Sequence, residues 1–101
     1  STRIQTGHGI PTFQSIMDCS YTNKDVKIIA DGGIKTNGDV VKAFAAGADF
    51  VMLGRPFLYA SGADGQRGVF RLVDMLKNEM LLALAQIGCT DVSHLDQNVL
   101  V

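Results

Sequence analysis

Two spacings of apolar positions alternate along the chain. Continuous apolar runs at 26–31 and 49–53 predict strands buried on both faces. Apolar residues recur at helical i, i+3, i+4 spacing over 13–20, 38–46 and 66–87, which predicts three amphipathic helices. Helices that alternate with strands in this order indicate a parallel α/β unit in which a helix connects neighbouring strands.

Polar residues and glycines mark where these helices begin and end. Thr12 is a predicted N-cap of the first helix and Asn37 of the second, because short polar side chains can accept the free amide hydrogens there. Gly47 is predicted to close the second helix and Gly88 the third. The glycine-containing segment 61–65 is predicted to be a loop.

Each predicted strand runs directly into a glycine-rich turn. The first strand is followed by Asp31-Gly32-Gly33-Ile34-Lys35 and the second by Gly54-Arg55. In barrels of parallel strands, the loops after the last two strands commonly form a phosphate site, where glycine lets the backbone approach the anion. The two turns therefore predict binding of a phosphorylated nucleotide or cofactor.

The predicted phosphate site combines backbone and charged groups. The candidate residues are Asp31, Gly32, Gly33, Lys35, Gly54 and Arg55. Glycine N–H groups and the two cations suit a phosphate, and a carboxylate at position 31 suits sugar hydroxyls. The structural alternatives are a turn aspartate, an exposed lysine and an arginine in a surface ion pair.

Two strands cannot close a barrel, so the fold class is predicted as an incomplete α/β structure. It is expected to be the C-terminal portion of a (β/α)8 TIM barrel, namely the last two strands with their helices. The 101 residues form one partial domain, and the absence of an initial Met favours a fragment, a processed chain or an excised domain.

The amino-acid composition limits which kinds of partner and site the chain can be expected to have. Hydrophobic residues make up 47% and charged residues 19% of the chain, as in globular proteins, and the net charge of −1 argues against a nucleic-acid partner. No apolar run approaches the ~18 residues of a membrane span. Cys19 and Cys89 lack metal-ligand spacing, so we expect no metal site and two buried free thiols in a cytoplasmic protein.

Residues 1–54 resemble the IMP dehydrogenase/GMP reductase family. The matching segments are Ser1-Thr2-Arg3-Ile4, Thr6-Gly7-x-Gly9-x-Pro11, Ala30-Asp31-Gly32-Gly33-Ile34 and Gly47-Ala48-Asp49-x-Val51-Met52-x-Gly54. The resemblance implies redox chemistry on a purine nucleotide, with NAD(P) as cofactor and a catalytic Cys directly before Ser1. It also implies that Thr2 is catalytic, that Asp31 binds ribose, and that Gly33 and Gly54 bind the nucleotide phosphate.

Residues 54–101 resemble a second family, the FMN-dependent α-hydroxyacid oxidases. The matching segments are Gly54-Arg55-Pro56-Phe57-x-Tyr59, Gly68-Val69, Leu76-Lys77-x-Glu79-Met80 and Gly88-Cys89-x-x-Val92. This resemblance implies FMN as cofactor, with Lys35 and Arg55 where the family grips the FMN phosphate, although the first position is usually Arg.

The principal expectation is therefore a purine-nucleotide oxidoreductase of the IMP dehydrogenase/GMP reductase type. The alternatives are an FMN-dependent α-hydroxyacid oxidase and a non-catalytic half-barrel that dimerises to cover its strand edges. The 101-residue chain alone is expected to be inactive, and the complete protein is expected to be a homo-oligomer.

Overall fold

The computed structural model describes residues 5–22 and 25–100. The elements are helix α1 (Thr12–Ser20), strand β1 (Ile29–Ala30), helix α2 (Asn37–Ala46), strand β2 (Phe50–Val51), helix α3 (Arg55–Gln86) and two 3-10 helices (Val92–His94 and Gln97–Val99). The strands are parallel neighbours, with Ile29 opposite Phe50 and Ala30 opposite Val51. Their order confirms the predicted strand–helix–strand unit, although both strands are shorter than predicted.

One face of the sheet packs on the helices and forms the core. Its buried members come from α1, β1, the turn after β1, and α2 with its C-terminal loop: Ile16, Ala30, Ile34, Val40, Ala43, Ala46 and Ala48. Ala43 and Ala46 are completely buried. Because alanine has a small side chain, these two positions let α2 pack closely against its neighbours.

The other face of the sheet is uncovered and apolar. Ile29, Phe50 and Met52 are 58%, 60% and 54% exposed. In a closed barrel this face points inward and is covered by side chains of other strands. The uncovered face fits the prediction of part of an α/β barrel.

The ends of α2 confirm one predicted boundary and correct the other. Gly47 is the C-cap, as predicted, and has a φ of 122°. The N-cap is Thr36 rather than Asn37, and its side chain accepts the N–H of Asp39. Thr36 takes this position because the chain enters the helix in an extended conformation there, with Asp39 three residues ahead to complete a capping box.

The predicted loop at 61–65 is reduced to a two-residue break at its end, because α3 already begins at Arg55. Pro56 lies in the first turn, where its fixed φ favours a helix. Only Asp64 and Gly65 have non-helical backbone angles, so they form a kink between two helical halves. Gly65 has a φ of +51°, a conformation that glycine adopts readily.

The cysteines are free but not both buried. Cys19 is exposed and Cys89 is half-buried, which corrects the expectation of two buried thiols. Cys19 lies one helical turn after Ile16 on α1 and lines, with Ile16, an open groove between α1 and β1. Within the described residues, no helix is both long and apolar enough to cross a membrane.

Candidate functional site

The two glycine turns meet at the carboxyl end of the sheet. They enclose a hollow of about 190 Å³ whose lining includes every predicted phosphate-site residue: Asp31, Gly32, Gly33, Lys35, Gly54 and Arg55. A second hollow of about 310 Å³, lined by Lys35, Arg55, Pro56 and Tyr59, shares three of its residues with the first. The structure therefore brings together both predicted turns and both predicted cations.

The turn after β1 has an unusual backbone. Gly32 and Gly33 have φ angles of +94° and +74°, which are strained for any other residue. The Thr12 hydroxyl donates to the Gly32 carbonyl at 2.8 Å. Thr12 was predicted to cap α1, but Pro11 is the N-cap and no side chain caps this helix. The Thr12 hydroxyl instead donates its hydrogen bond to the glycine turn after β1, twenty residues further along the chain.

The end of this turn is fixed by the first residues of α2. The Asp39 carboxylate accepts N–H groups from Lys35 at 3.1 Å and from Thr36 at 3.2 Å. These bonds, led by the one from the Lys35 backbone, lower the pKa of Asp39 despite partial burial. The two amides just before α2 are thus satisfied within the protein, and the backbone that carries the Lys35 side chain is held in place.

The start of α3 is arranged differently. Gly54 is its N-cap, and no side chain caps the helix. A Cβ placed on Gly54 would meet nothing within 4 Å, so the space beside the backbone is open. An uncapped helix start carries partial positive charge, and here the Arg55 side chain follows directly. With Lys35 facing the same hollow, the arrangement suits an anion.

Asp31 and Thr2, the other two predicted functional positions, have different outcomes. Asp31 directly follows β1 and is exposed. It lines both the 190 Å³ hollow and a groove beside α1, so its carboxylate is accessible to a ligand hydroxyl. Thr2, the predicted catalytic residue, lies outside the described residues, as does the rest of segment 1–4.

Sequence reasoning did not select Tyr59 and Asp39 for this site. Tyr59 is 68% exposed and lies four residues after Arg55, on the same side of α3. That i, i+4 spacing is the signal that could have identified it. Asp39 is identifiable as the third residue after Thr36, in the spacing of a capping box.

Comparisons with known proteins agree on one family. The model of the FMN-dependent dehydrogenase family matches residues 5–101. L-lactate dehydrogenase of Pseudomonas syringae is 44% identical over 77 residues, which make up 76% of this chain and 20% of the relative. L-lactate dehydrogenase of Vibrio cholerae gives the same identity over the same share of each chain. The chain thus spans about a fifth of the length of the curated relatives it matches.

Solved structures give the same result. A flavocytochrome b2 mutant with benzoylformate aligns with a TM-score of 0.81 and 28% identity over 86% of this chain and 24% of that one. Mandelate oxidase with benzoyl-formic acid aligns with a TM-score of 0.79 and 35% identity, over 84% of this chain and 26% of that one. These neighbours are α/β-barrel flavoenzymes, so the architecture is that of part of such a barrel.

The principal functional expectation is therefore wrong. One FMN-dependent family model spans both sides of Gly54, including most of the part that resembled IMP dehydrogenase and GMP reductase. Purine-nucleotide chemistry and NAD(P) have no support from these relatives, whereas the expected alternative with FMN does. The misleading resemblance lay in the strand–glycine turns, which suit any phosphate bound at this edge of a barrel.

The match covers nearly the whole chain, from residue 5 to the last residue. It includes both glycine turns and all six predicted phosphate-site residues that line the hollow. The chain belongs to the FMN-dependent dehydrogenase family.

Proposed function

We propose that this chain supplies the phosphate-binding end of the FMN site in an oxidoreductase that acts on 2-hydroxy acids. The observation that carries the proposal is the convergence of Lys35 and Arg55 on one hollow beside the uncapped start of α3. Two relatives support the substrate class, because they are an L-lactate dehydrogenase and a mandelate oxidase.

The residues around the hollow fit the polar end of FMN. Lys35 and Arg55 offset the phosphate charge, and the uncapped start of α3 adds partial positive charge. The turn after β1 leaves backbone close to the ligand, because Gly32 and Gly33 carry no side chain. The Asp31 carboxylate can accept hydrogen bonds from ribityl hydroxyls.

FMN, when bound, supplies the two-electron acceptor for oxidation of the 2-hydroxy acid to a 2-oxo acid. The described residues bind and orient the cofactor through its phosphate. We expect no turnover from the 101-residue chain alone, because the sheet face formed by Ile29, Phe50 and Met52 is open to solvent. A redox site of this kind needs shielding from water, which further barrel strands would provide.

The test compares FMN with riboflavin, which lacks the phosphate. Both flavins are titrated into the full-length product of the gene after removal of its flavin. We expect FMN to bind at least about a hundredfold more tightly, since charge-assisted contacts to phosphate are strong. Equal affinity for the two flavins would contradict the proposed phosphate site.

Two arginine variants, one inside the hollow and one outside it, test whether the phosphate binds there. Arg55→Gln is expected to weaken FMN binding about tenfold and to leave riboflavin binding unchanged. Arg71→Gln is the control, because Arg71 is exposed on α3 and does not line the hollow. Oxidation of L-lactate and mandelate by the holoenzyme then tests the substrate class, and failure with every 2-hydroxy acid offered would refute it.

A further inference from the structure

The glycine turn adjoins two depressions, both of which Asp31 lines. One is the 190 Å³ hollow, lined by Gly32, Gly33 and the two cations. The other is a groove of about 250 Å³ between α1 and β1, which Thr12 lines. Thr12 does not line the hollow, so its hydroxyl reaches the turn from the groove and not from the proposed phosphate site.

The hydrogen bond from Thr12 fixes the orientation of one peptide group. The Gly32 carbonyl, which accepts it at 2.8 Å, belongs to the same peptide unit as the Gly33 N–H. All described peptide bonds are trans, so this carbonyl and this N–H point in opposite directions. With the carbonyl directed at Thr12, the Gly33 N–H is directed away from the groove.

This N–H is available to a ligand. Among the described residues, none accepts a hydrogen bond from the Gly33 N–H. Glycines at both positions let the peptide rotate more freely than other residues would, so an external bond is needed to hold one orientation. Thr12 is half-buried and twenty residues away in sequence, and it supplies that bond.

We infer that Thr12 is a positioning residue, which holds the Gly33 N–H as a donor for the flavin phosphate. This inference rests on the proposed function, because it assigns a role within the same phosphate site. Thr12 itself does not touch the phosphate. Its hydroxyl acts through the Gly32–Gly33 peptide, and its removal leaves a donor that is no longer pre-oriented.

The test uses the ratio of riboflavin Kd to FMN Kd in the full-length gene product. Thr12→Val keeps the shape of the side chain but removes the hydroxyl, and it is expected to lower this ratio about fivefold. Thr12→Ser retains the hydroxyl and is expected to keep the wild-type ratio. Thr22→Val is the matched control, because the Thr22 hydroxyl also donates to a backbone carbonyl, that of Cys19 at 2.7 Å.

A second measurement needs no variant. FMN, but not riboflavin, is expected to protect the Gly33 amide from hydrogen exchange. The inference is overturned if Thr12→Val leaves the ratio unchanged, if it weakens both flavins equally, or if both flavins protect Gly33 alike. A wild-type protein without preference for FMN would refute the proposed function itself, whereas a preference that Thr12→Val leaves undiminished refutes only the role of Thr12.

Discussion

The Asp39 carboxylate and the Lys35 backbone are joined by a hydrogen bond of 3.1 Å. The bond connects the first turn of α2 to the residue that carries one of the two cations of the hollow. The same oxygen accepts the N–H of Thr36 at 3.2 Å, so one carboxylate satisfies two consecutive amides. Helix capping and the geometry of the candidate site therefore depend on the same side chain.

Replacement of the Asp39 carboxylate should destabilise both the start of α2 and the backbone that carries Lys35. Asp39→Ala leaves the amides of Lys35 and Thr36 without their acceptor, and we expect a loss of about 1 kcal/mol in local stability. Hydrogen exchange of the first turn of α2 measures the change. Asp74→Ala is the control, because Asp74 is exposed on α3. Equal exchange in both variants would contradict the capping role.

The lowered pKa of Asp39 gives this contribution a pH dependence. A carboxyl whose pKa is lower in the folded state stabilises the fold fully above its ordinary pKa of 3.8. The stabilisation is lost as the pH falls through the lower folded-state value. We therefore expect the exchange rates of the wild type to approach those of Asp39→Ala in strong acid, and to differ most above pH 5.

The lysine at position 35 gives a prediction about charge. Lys35→Gln should raise the Kd for FMN about tenfold without affecting riboflavin, because a charged donor to the phosphate is removed. Lys35→Arg should retain FMN binding or strengthen it, since guanidinium can donate two parallel hydrogen bonds to phosphate. Flavin fluorescence titration measures both. Lys77→Gln on α3 is the control, and a similar loss there would indicate only a long-range effect of net charge.

The candidate site was predictable because parallel strands end at a common edge. Two strands of the same direction place Asp31 and Gly54 at that edge, although 23 residues separate them in sequence. This argument requires only strand order. The chemical identity of the bound phosphate could not be predicted in the same way, because glycine and cation at such an edge suit nucleotide and flavin phosphates alike.

Long-range side-chain bonds were not predictable. The Thr12 hydroxyl bonds to Gly32, twenty residues on, whereas local propensity pointed to a helix cap. Gly62 and Gly65 together predict a loop at 61–65, but of these two glycines only Gly65 has a non-helical backbone. A helix tolerates an isolated glycine at modest cost, so composition alone could not separate these two positions.

The kink in α3 gives a prediction about packing. The Ala60 carbonyl lies where a Cβ on Gly68 would be, and Gly68 is half-buried. Gly68→Ala must move backbone, so we expect a loss of about 2 kcal/mol in the free energy of unfolding. Gly62→Ala is the matched control in the same helix, because a Cβ there meets nothing within 4 Å. It should be neutral or stabilising.

Thermal unfolding of the two alanine variants distinguishes these effects. A lower Tm for Gly68→Ala together with an unchanged or higher Tm for Gly62→Ala would support close packing of the two halves of α3. Equal Tm values for Gly68→Ala and the wild type would mean that the kink opens freely. In that case the contact with Ala60 does not determine the angle between the two helical halves.

The C-terminal segment is joined to the core by Gln97. Its side-chain oxygen accepts the Tyr21 hydroxyl at 2.8 Å, and its nitrogen donates to the Ala46 carbonyl at 3.3 Å and the Ser20 hydroxyl at 3.4 Å. Tyr21 and Ser20 lie at the end of α1, and Ala46 ends α2. One half-buried amide thus bonds to the ends of two helices.

Removal of the Gln97 side-chain amide should detach the C-terminal segment from α1 and α2 without disturbing the proposed flavin site. Gln97→Ala is expected to speed hydrogen exchange in the 3-10 helix Gln97–Val99 about tenfold, because three hydrogen bonds are lost. Tyr21→Phe removes one of the three and should have a smaller effect. Asn98→Ala is the control, since the Asn98 backbone N–H, which bonds to Asp96, is retained. If Gln97→Ala speeds exchange no more than Asn98→Ala does, the hydrogen bonds of Gln97 contribute little. The segment Gln97–Val99 is then held by its apolar contacts.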